Sequence, residues 1–304
     1  MTSDLTYLLV GHGSRHPAGN PETLRFAAEW AARHPARRVE TCFIEHAEVL
    51  LDEGLDRAAR ASRAVRVLPV ILNAAGHVKM ELPAALARAR TRHPAVEFSV
   101  ARHLGMGPEL RAVLQERLDG LMRELAMPDP HTTGVVLLGR GSSDAGANSE
   151  LAKMARWLFE ANAHELVDLA FTGITWPRLE AVVQRQVRLG MTQICIVPVY
   201  LFNGVLIERI QAQVARLRQQ YPQIAFAVSA HFGFAPGIFA LLDARAGSDA
   251  GEAPLLECDG CTYRQCAEAE HLHDHSHTAS GHAHGHVHDH GHEHPHDHDH
   301  SAHP

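Results

Sequence analysis

Short runs of consecutive apolar residues alternate along the chain with longer segments in which apolar residues recur every three or four positions. An unbroken apolar run is typical of a strand buried on both faces, and the longer segments are typical of helices. The runs predict strands at residues 5–10, 64–72, 134–138 and 193–201, and the longer segments predict helices at residues 23–33, 50–61, 83–90, 149–161, 178–189 and 205–220. This alternation predicts an α/β fold of parallel sheets flanked by helices.

The same order of segments occurs twice, at an offset of 128 residues. Three pairs of segments carry the repeat: LLVGHGSRHPAGN at 8–20 with LLGRGSSDAGAN at 137–148, RVLPVIL at 66–72 with CIVPVYL at 195–201 after one inserted residue, and ARHLGMGPEL at 101–110 with SAHFGFAPGI at 229–238. Agreement at both ends and in the middle predicts an internal duplication. We therefore expect two tandem, similar lobes at residues 1–128 and 129–246.

The composition changes at the end of the second copy. Residues 247–304 begin as a linker, continue through the cysteine motif CDGCTYRQC, and end in a stretch that holds 15 of the 25 histidines between residues 271 and 303. A segment with so few apolar residues cannot fold by burial, so we expect a disordered tail. Histidine mixed with aspartate and glutamate offers labile sites for Co²⁺, Ni²⁺ or Zn²⁺, which suggests metal storage or delivery; a purification tag is the alternative.

The charge of the chain is unevenly distributed. The formal net charge is −7, yet the segment from Glu252 onward holds ten acidic residues and one basic residue, which leaves 25 acidic and 27 basic residues before it. The slightly basic body is compatible with an anionic small molecule, and the lack of a dense basic cluster argues against nucleic acid. No apolar run is long enough for a membrane span, and the N-terminus predicts a strand rather than a signal peptide, so a cytoplasmic protein is expected.

Three polar residues of the first copy have no counterpart in the second. His12 becomes Arg140, Glu45 becomes Gly173, and His77 falls near Val205 or Leu206. Two imidazoles and one carboxylate form a typical ligand set for Co²⁺, Fe²⁺, Ni²⁺ or Zn²⁺, and all three residues follow apolar runs whose ends meet at one sheet edge. For each residue alone a structural role is the stronger explanation, but a structural role would be needed in both copies. His103 and His231, which are kept in both copies, are interpreted as a structural pair; the alternative is that they line the cleft.

Taken together, the segments LLVGHGSR, CFIEHAEVLLDEGL, VLPVILNAAGHVKMELP and RHLGMGP resemble the class II chelatases of the CbiX/SirB type. These are the sirohydrochlorin cobaltochelatases and ferrochelatases, which insert a divalent metal into a tetrapyrrole for anaerobic cobalamin or siroheme synthesis. The resemblance spans residues 5–242 and departs from the commoner spelling only in Glu81, where aspartate is usual. It implies a two-lobed fold with the macrocycle in the cleft, and it implies that His12, His77 and Glu45 handle the metal.

Metal insertion must remove two pyrrole protons and strip water from the metal ion. Neutral imidazole suits both tasks, because its reference pKa is about 6.5. We expect His12 and His77 to hold the metal and accept protons, and Glu45 to add an anionic ligand and relay a proton to solvent. Such a site is open and weak, so that the metal can leave, and the reaction needs no nucleotide cofactor.

Sirohydrochlorin also carries eight carboxylates that the protein must satisfy. The backbone N–H groups of the two glycine turns, each before a helix N-terminus, are candidates. Charge-assisted bonds are expected from Arg15, Ser14, Arg140, Ser142 and Ser143. Under this hypothesis the duplicated loop builds two walls of one cleft, one with the metal histidine and one with an arginine. The alternative is that Arg140 is an ordinary surface residue.

The cysteines fall into two groups. Cys258, Cys261 and Cys266 suit an iron–sulfur cluster, whose fourth ligand would come from a second subunit of a homodimer, or alternatively a plain zinc or cobalt site. Cys42 and Cys195 lie in apolar runs and are expected to be buried packing residues.

The leading functional hypothesis is a sirohydrochlorin cobaltochelatase with Co²⁺ as its substrate metal. The tail favours cobalt over iron, because imidazole affinity rises from Fe²⁺ to Co²⁺ to Ni²⁺. Two alternatives stay open: a sirohydrochlorin ferrochelatase, and a cobalt or nickel storage or delivery protein built on a chelatase scaffold.

Overall fold

The computed structural model describes residues 4–73 and 76–247, and it describes the side chains of these residues except those of 76–78. The expected disordered tail and its cysteine motif, with Cys258, Cys261 and Cys266, lie outside the described residues.

The first half of the chain forms a four-stranded parallel sheet in the order β2-β1-β3-β4. Its elements are β1 (Leu5–Gly11), α1 (Gly19–Arg33), β2 (Arg38–Phe43), α2 (Leu51–Ala61), β3 (Ala64–Pro69), α3 (Gly76–Arg92), β4 (Glu97–Val100) and α4 (Pro108–Glu124). The two central strands are the buried apolar runs that the sequence predicts, and the two edge strands, which it does not predict, are short or partly exposed. An edge strand lacks the unbroken apolar run of a strand covered on both faces.

The second half repeats this arrangement, with the sheet order β6-β5-β7-β8. Its elements are β5 (Thr133–Gly139), α5 (Ala145–Glu160), β6 (Val167–Phe171), α6 (Leu179–Arg188), β7 (Gln193–Pro198), α7 (Val205–Gln220), β8 (Ala225–Val228) and α8 (Pro236–Gly247). Every strand pair is parallel. The predicted α/β fold of two similar lobes is therefore confirmed.

The last helix of each half crosses to the other half. α4 packs against β7 and β8 of the second sheet, while α8 packs against α4 and against β3 of the first sheet. An equivalent arginine anchors each crossing helix: Arg117 donates hydrogen bonds to the carbonyls of His231 and Phe232, and Arg245 donates to those of His103 and Leu104. The two halves are thus related by an approximate two-fold exchange of helices.

This exchange places the largest apolar core between the sheets. The core combines Phe26 and Trp30 of α1 with Leu114 of α4, Val197 of β7 and Phe239 of α8, all nearly inaccessible to solvent. Smaller apolar clusters cover the outer face of each sheet. Burial on both faces fixes the strands, so that the loops at their carboxyl ends project from a rigid base.

Among the helices of residues 4–73 and 76–247, none combines the length with the apolar character that spanning a membrane requires.

Candidate functional site

The loop after β1 and the loop after β5 have the same backbone. Gly13 and Gly141 adopt φ of +96° and +85°, which favours glycine. A Cβ on Gly13 would lie 1.7 Å from the carbonyl oxygen of Glu45, and one on Gly141 would lie 2.3 Å from that of Gly173. Each glycine therefore lets its loop touch the backbone of the loop after the neighbouring edge strand.

Hydrogen bonds within each loop repeat as well. The Ser14 N–H donates to Asn20 Oδ1 at 2.8 Å, and the Ser142 N–H donates to Asn148 Oδ1 at 2.9 Å. These two amides, which are among the donors expected for substrate carboxylates, already donate to an asparagine in the first turn of the following helix. Carboxylate binding by the other N–H groups of the two turns stays a prediction. The hydroxyl oxygens of Ser14 and Ser142 accept the backbone N–H groups two residues further on.

His12 and Glu45 are brought together as the sequence predicts. His12 follows the end of β1, Glu45 follows the end of β2, and the Glu45 N–H donates to the His12 carbonyl at 3.0 Å. His12 Nδ1 lies 3.4 Å from Glu45 Oε1, and both side chains are about one-third exposed, at 32% and 33%. The pair is therefore anchored at its backbone and accessible from solvent.

His77 lies in the first turn of α3, the helix that follows β3. Its side chain lies outside the described residues, so its approach to His12 stays a prediction. The next described side chain of this turn is Lys79, whose Nζ lies 2.7 Å from Asp144 Oδ2 in the loop after β5. The turn that carries His77 is thus held against the second half of the molecule.

His46 is a site residue that the sequence reasoning missed. Its Nε2 lies 3.2 Å from Glu45 Oε2 and accepts a hydrogen bond from Arg15 Nε at 3.1 Å. Its φ is +52°, and its counterpart Ile174 has a φ of +63°, so the loop conformation does not require histidine. The comparison between copies that selects His12 would also have selected His46, because both imidazoles are absent from the second copy.

In the second half, the loops equivalent to those of His12 and Glu45 carry different side chains. Arg140, which replaces His12, is exposed, and its carbonyl accepts the Gly173 N–H at 3.0 Å. Tyr200 Oη lies 2.7 Å from Thr172 Oγ1 beside this loop. Burial raises the pKa of the Tyr200 phenol to about 12, against the opposing effects of Thr172 and of the nearby Arg140 charge, so Tyr200 stays neutral.

The remaining polar candidates line the same edges. Arg15 and Ser143 are exposed, while Ser14 and Ser142 are partly buried. Asp144 caps α5 by accepting the Gly146 N–H at 2.9 Å. Partial burial works to raise the pKa of Asp144, but the hydrogen bond and charge of Lys79 and the capping amides outweigh it, so this pKa lies below its usual value of 3.8.

Two side-chain contacts join the loops of one half to the helices of the other. His16 Nε2 lies 2.9 Å from Glu208 Oε1 at the start of α7, and the Lys79–Asp144 ion pair is its counterpart, with the carboxylate on the loop instead of the helix. His16 aligns with Asp144 and Glu208 aligns with Lys79. The carboxyl edges of the two sheets therefore meet, and the candidate residues of both loops lie along these edges, where the family resemblance places the cleft for the macrocycle.

The buried cysteines take no part in this cleft. Burial raises the pKa values of Cys42 and Cys195 to about 12, which confirms that they are packing residues rather than thiolate ligands. Among the described side chains, which do not include His77, no group of three histidine, cysteine or acidic residues is arranged to hold a metal ion.

Comparison with known proteins agrees with this architecture. The model of the CbiX family matches residues 6–121 and again residues 134–249. The sirohydrochlorin cobaltochelatase of Priestia megaterium is 38% identical over 260 residues, which cover 84% of each chain. The sirohydrochlorin ferrochelatase of Bacillus subtilis (strain 168) is 27% identical over 232 residues, which cover 76% of this chain and 86% of that one.

A solved structure, SirB from Bacillus subtilis with Fe³⁺, has the same fold. It is 26% identical, aligns with a TM-score of 0.70, and covers 82% of this chain and 98% of its own. The family model thus matches both halves of the chain, and each match contains one of the two equivalent loops. This chain belongs to the CbiX family.

Proposed function

We propose that this protein inserts Co²⁺ into sirohydrochlorin, as a cobaltochelatase of anaerobic cobalamin synthesis. The observation that carries the proposal is the solvent-accessible His12–Glu45 pair, which one copy of the duplicated loop holds and the other lacks. The 38% identical relative is a sirohydrochlorin cobaltochelatase, and the ferrochelatase relative is more distant at 27% identity. Both matches span most of the chain, so the whole two-lobed body is compared.

His12, Glu45 and His77 have distinct tasks in this reaction. The imidazoles of His12 and His77 hold the incoming Co²⁺ and exchange it for the ring nitrogens, while Glu45 adds a negative charge that favours the partly dehydrated ion. As the metal leaves, the freed imidazole and carboxylate accept the two protons that the pyrrole nitrogens release. The 3.4 Å contact between His12 and Glu45 allows these two groups to share one proton and pass it to solvent.

The substrate carboxylates are bound at the rim of the cleft. Arg15, Ser14, Arg140, Ser142 and Ser143 supply guanidinium and hydroxyl donors there. The donors are side chains, since the amides of Ser14 and Ser142 are used within their loops. Arginine suits this role because its fork of N–H groups pairs with a carboxylate at two points.

The tail extends the proposal beyond the described residues. Its histidines would supply Co²⁺ to the cleft, and Cys258, Cys261 and Cys266 would hold an auxiliary metal or an iron–sulfur cluster completed by a second subunit. The proposed reaction takes place in the cytoplasm. Metal analysis of the isolated protein, with and without residues 247–304, tests this part separately.

The test is anaerobic metallation of sirohydrochlorin followed by absorbance, with Co²⁺ and Fe²⁺ assayed in parallel. The proteins are the full chain, a chain ending before Cys258, and the double variant His12→Ala/His77→Ala. We expect the truncated chain to be active at high metal concentration and the double variant to fall to the spontaneous rate. His131→Ala is a matched control, since His131 is 67% exposed at the amino-terminal edge of the second sheet.

Three outcomes would contradict the proposal. Full activity in the double variant would show that the metal is handled elsewhere. Faster insertion of Fe²⁺ than of Co²⁺ at matched metal concentrations would make the protein a ferrochelatase. If the chain binds Co²⁺ but accelerates neither reaction, the storage and delivery function replaces both.

A further inference from the structure

The loop after β6 exposes two large apolar side chains. Ile174 is 58% exposed and Trp176 is 69% exposed, although most large apolar residues of the described chain are buried. Adjacent exposed apolar residues on a loop at the carboxyl edge of a parallel sheet indicate a binding surface, because ligands of such folds lie beyond that edge.

This loop is the counterpart of the loop that carries Glu45. Phe171 pairs with Arg178 as Phe43 pairs with Leu50, at the same offset of 128 residues. Its Gly173 N–H donates to Arg140 O, just as the Glu45 N–H donates to His12 O. The loop of residues 171–178 therefore occupies, on the second sheet, the place that the metal-handling loop occupies on the first.

Both places lie on sheet edges that meet in the fold. The loop of Glu45 and the loop of residues 171–178 project from the carboxyl ends of β2 and β6. The carboxyl edges of the two sheets meet through the Lys79–Asp144 and His16–Glu208 contacts. A molecule bound between these edges with one face toward the first lobe would turn its other face toward the second lobe, on which the loop of residues 171–178 lies.

The chemistry of the loop suits a flat, acidic molecule. The Arg178 guanidinium lies 4.8 Å from the centre of the Trp176 ring and holds it by a cation–π contact. The exposed Arg140 beside the loop supplies a positive charge at its rim. An indole face stacks on a conjugated ring, and a guanidinium pairs with a carboxylate at the periphery of that ring.

We propose that the loop of residues 171–178 is the platform for the tetrapyrrole, with Trp176 and Ile174 against the face of the macrocycle and Arg140 on a peripheral carboxylate. This inference rests on the proposed function and specifies its substrate subsite. Under it, the second lobe binds the ring while the first lobe handles the metal, so the loss of Glu45 and His46 from the second copy makes room for an apolar surface.

The experiment measures binding of metal-free sirohydrochlorin by its absorbance change, together with metallation kinetics. We expect Trp176→Ala to raise both the Kd and the KM for sirohydrochlorin about ten-fold, which is the typical effect of losing one stacked aromatic ring. Ile174→Ala should have a smaller effect, Trp176→Phe should restore most of the affinity, and the KM for Co²⁺ should not move. Leu189→Ala is the matched control, since Leu189 is 59% exposed at the end of α6 remote from the cleft.

Several results would overturn the inference. It fails if Trp176→Ala binds sirohydrochlorin with the same Kd as the native chain. If Trp176→Ala also converts a dimer to a monomer while the Kd stays unchanged, the loop is a subunit interface instead. The His12→Ala/His77→Ala variant separates this failure from failure of the proposed function, because it should still bind the macrocycle while losing metallation. A native chain that neither binds nor metallates sirohydrochlorin overturns both proposals.

Discussion

The two glycine loops have the same backbone and opposite side-chain chemistry. Both keep the glycine at positive φ and the serine amide bonded to an asparagine, since these features hold the turn together. The halves differ at side chains that the turn does not use. His12 and Arg15 of the glycine loop become Arg140 and Ser143, and Glu45 and His46 of the neighbouring loop become Gly173 and Ile174. Duplication thus preserved the scaffold and left the projecting residues free to specialise, under the proposed function one set for a metal ion and the other for an organic anion.

The difference also explains why both halves are needed. A metal ion can be held by one loop, but a planar macrocycle has two faces and requires two walls. The exchange of α4 and α8 locks the walls together, because each sheet is covered by a helix from the other half. The predicted lobe boundaries at residues 128 and 246 therefore describe the sequence repeats. Each crossing helix belongs to one repeat in sequence but packs against the sheet of the other repeat.

The largest effect on activity is expected at Glu45, a carboxylate of the first copy that has no counterpart in the second. Glu45→Gln removes the negative charge and keeps the shape, so metal capture and proton transfer should fail while the fold stays intact. We expect kcat to fall roughly 10³-fold, within the range that acid–base groups contribute. Initial rates of sirohydrochlorin metallation at saturating Co²⁺, with thermal unfolding as the folding control, provide the measurement.

Glu48→Gln is the matched variant for this experiment, because Glu48 is an exposed carboxylate on the same loop. It should metallate sirohydrochlorin at the native rate. If the two variants lose activity equally, the loop contributes general negative charge, and the assignment of Glu45 as a metal ligand is wrong.

The glycines allow the shared backbone to be tested apart from the chemistry. Alanine at Gly13 would place its Cβ 1.7 Å from the Glu45 carbonyl oxygen, and alanine at Gly141 would place it 2.3 Å from that of Gly173, both at positive φ. We expect each substitution to lower the free energy of unfolding by about 3 kcal/mol. Chemical denaturation should show similar losses, whereas kcat should fall much further for Gly13→Ala, because only Gly13 packs against the backbone of Glu45.

The crossing helices α4 and α8 allow the stability of the two halves to be compared at residues outside the candidate site. Arg117→Ala and Arg245→Ala each remove a guanidinium that caps two carbonyls of the opposite half. We expect each to cost about 2 kcal/mol of unfolding free energy, since the carbonyls lose charged donors. The free energies from urea denaturation should agree within error if the two-fold exchange is symmetrical. A large loss in only one variant would show that one helix dominates the interface.

The exchange of helices marks the limit of what the sequence predicts. The central strands and most helices follow from local patterns, because burial on both faces leaves an unbroken apolar run. The edge strands β2 and β6 mix exposed and buried positions and give no such signal. No helix is predicted from the sequence at α4 or α8, and nothing in their own residues states which sheet they cover. That information lies in the complementarity between Arg117 or Arg245 and carbonyls more than 100 residues away.

The candidate site, like the fold, is predicted from the sequence only in part. Comparison of the two copies finds His12, Glu45 and His77 because it removes positions that the scaffold requires. The same comparison also singles out His46, but its 3.2 Å contact with Glu45 and its 3.1 Å contact with Arg15 are evident only in the fold. The acceptors of the Ser14 and Ser142 amides are not evident from the sequence either, since each asparagine lies six residues further on and reaches the amide only in the folded turn.

The smallest effect is expected where the two halves touch. Asp144→Asn removes the charge that pairs with Lys79 but keeps an N-cap for α5, so it isolates the ion pair from the cap. Because the pKa of Asp144 lies below 3.8 in the folded protein, the pair stabilises the fold above the unfolded pKa, and this contribution disappears as the pH falls through the folded pKa. We expect a loss of about 1 kcal/mol at pH 7 that vanishes once the pH falls below the folded pKa of Asp144. Glu208→Gln, at the equivalent contact with His16, is the comparison variant. If Asp144→Asn has the same free energy of unfolding as the native chain at pH 7, the contact between Lys79 and Asp144 contributes no stability. The two halves are then held together by the exchanged helices alone.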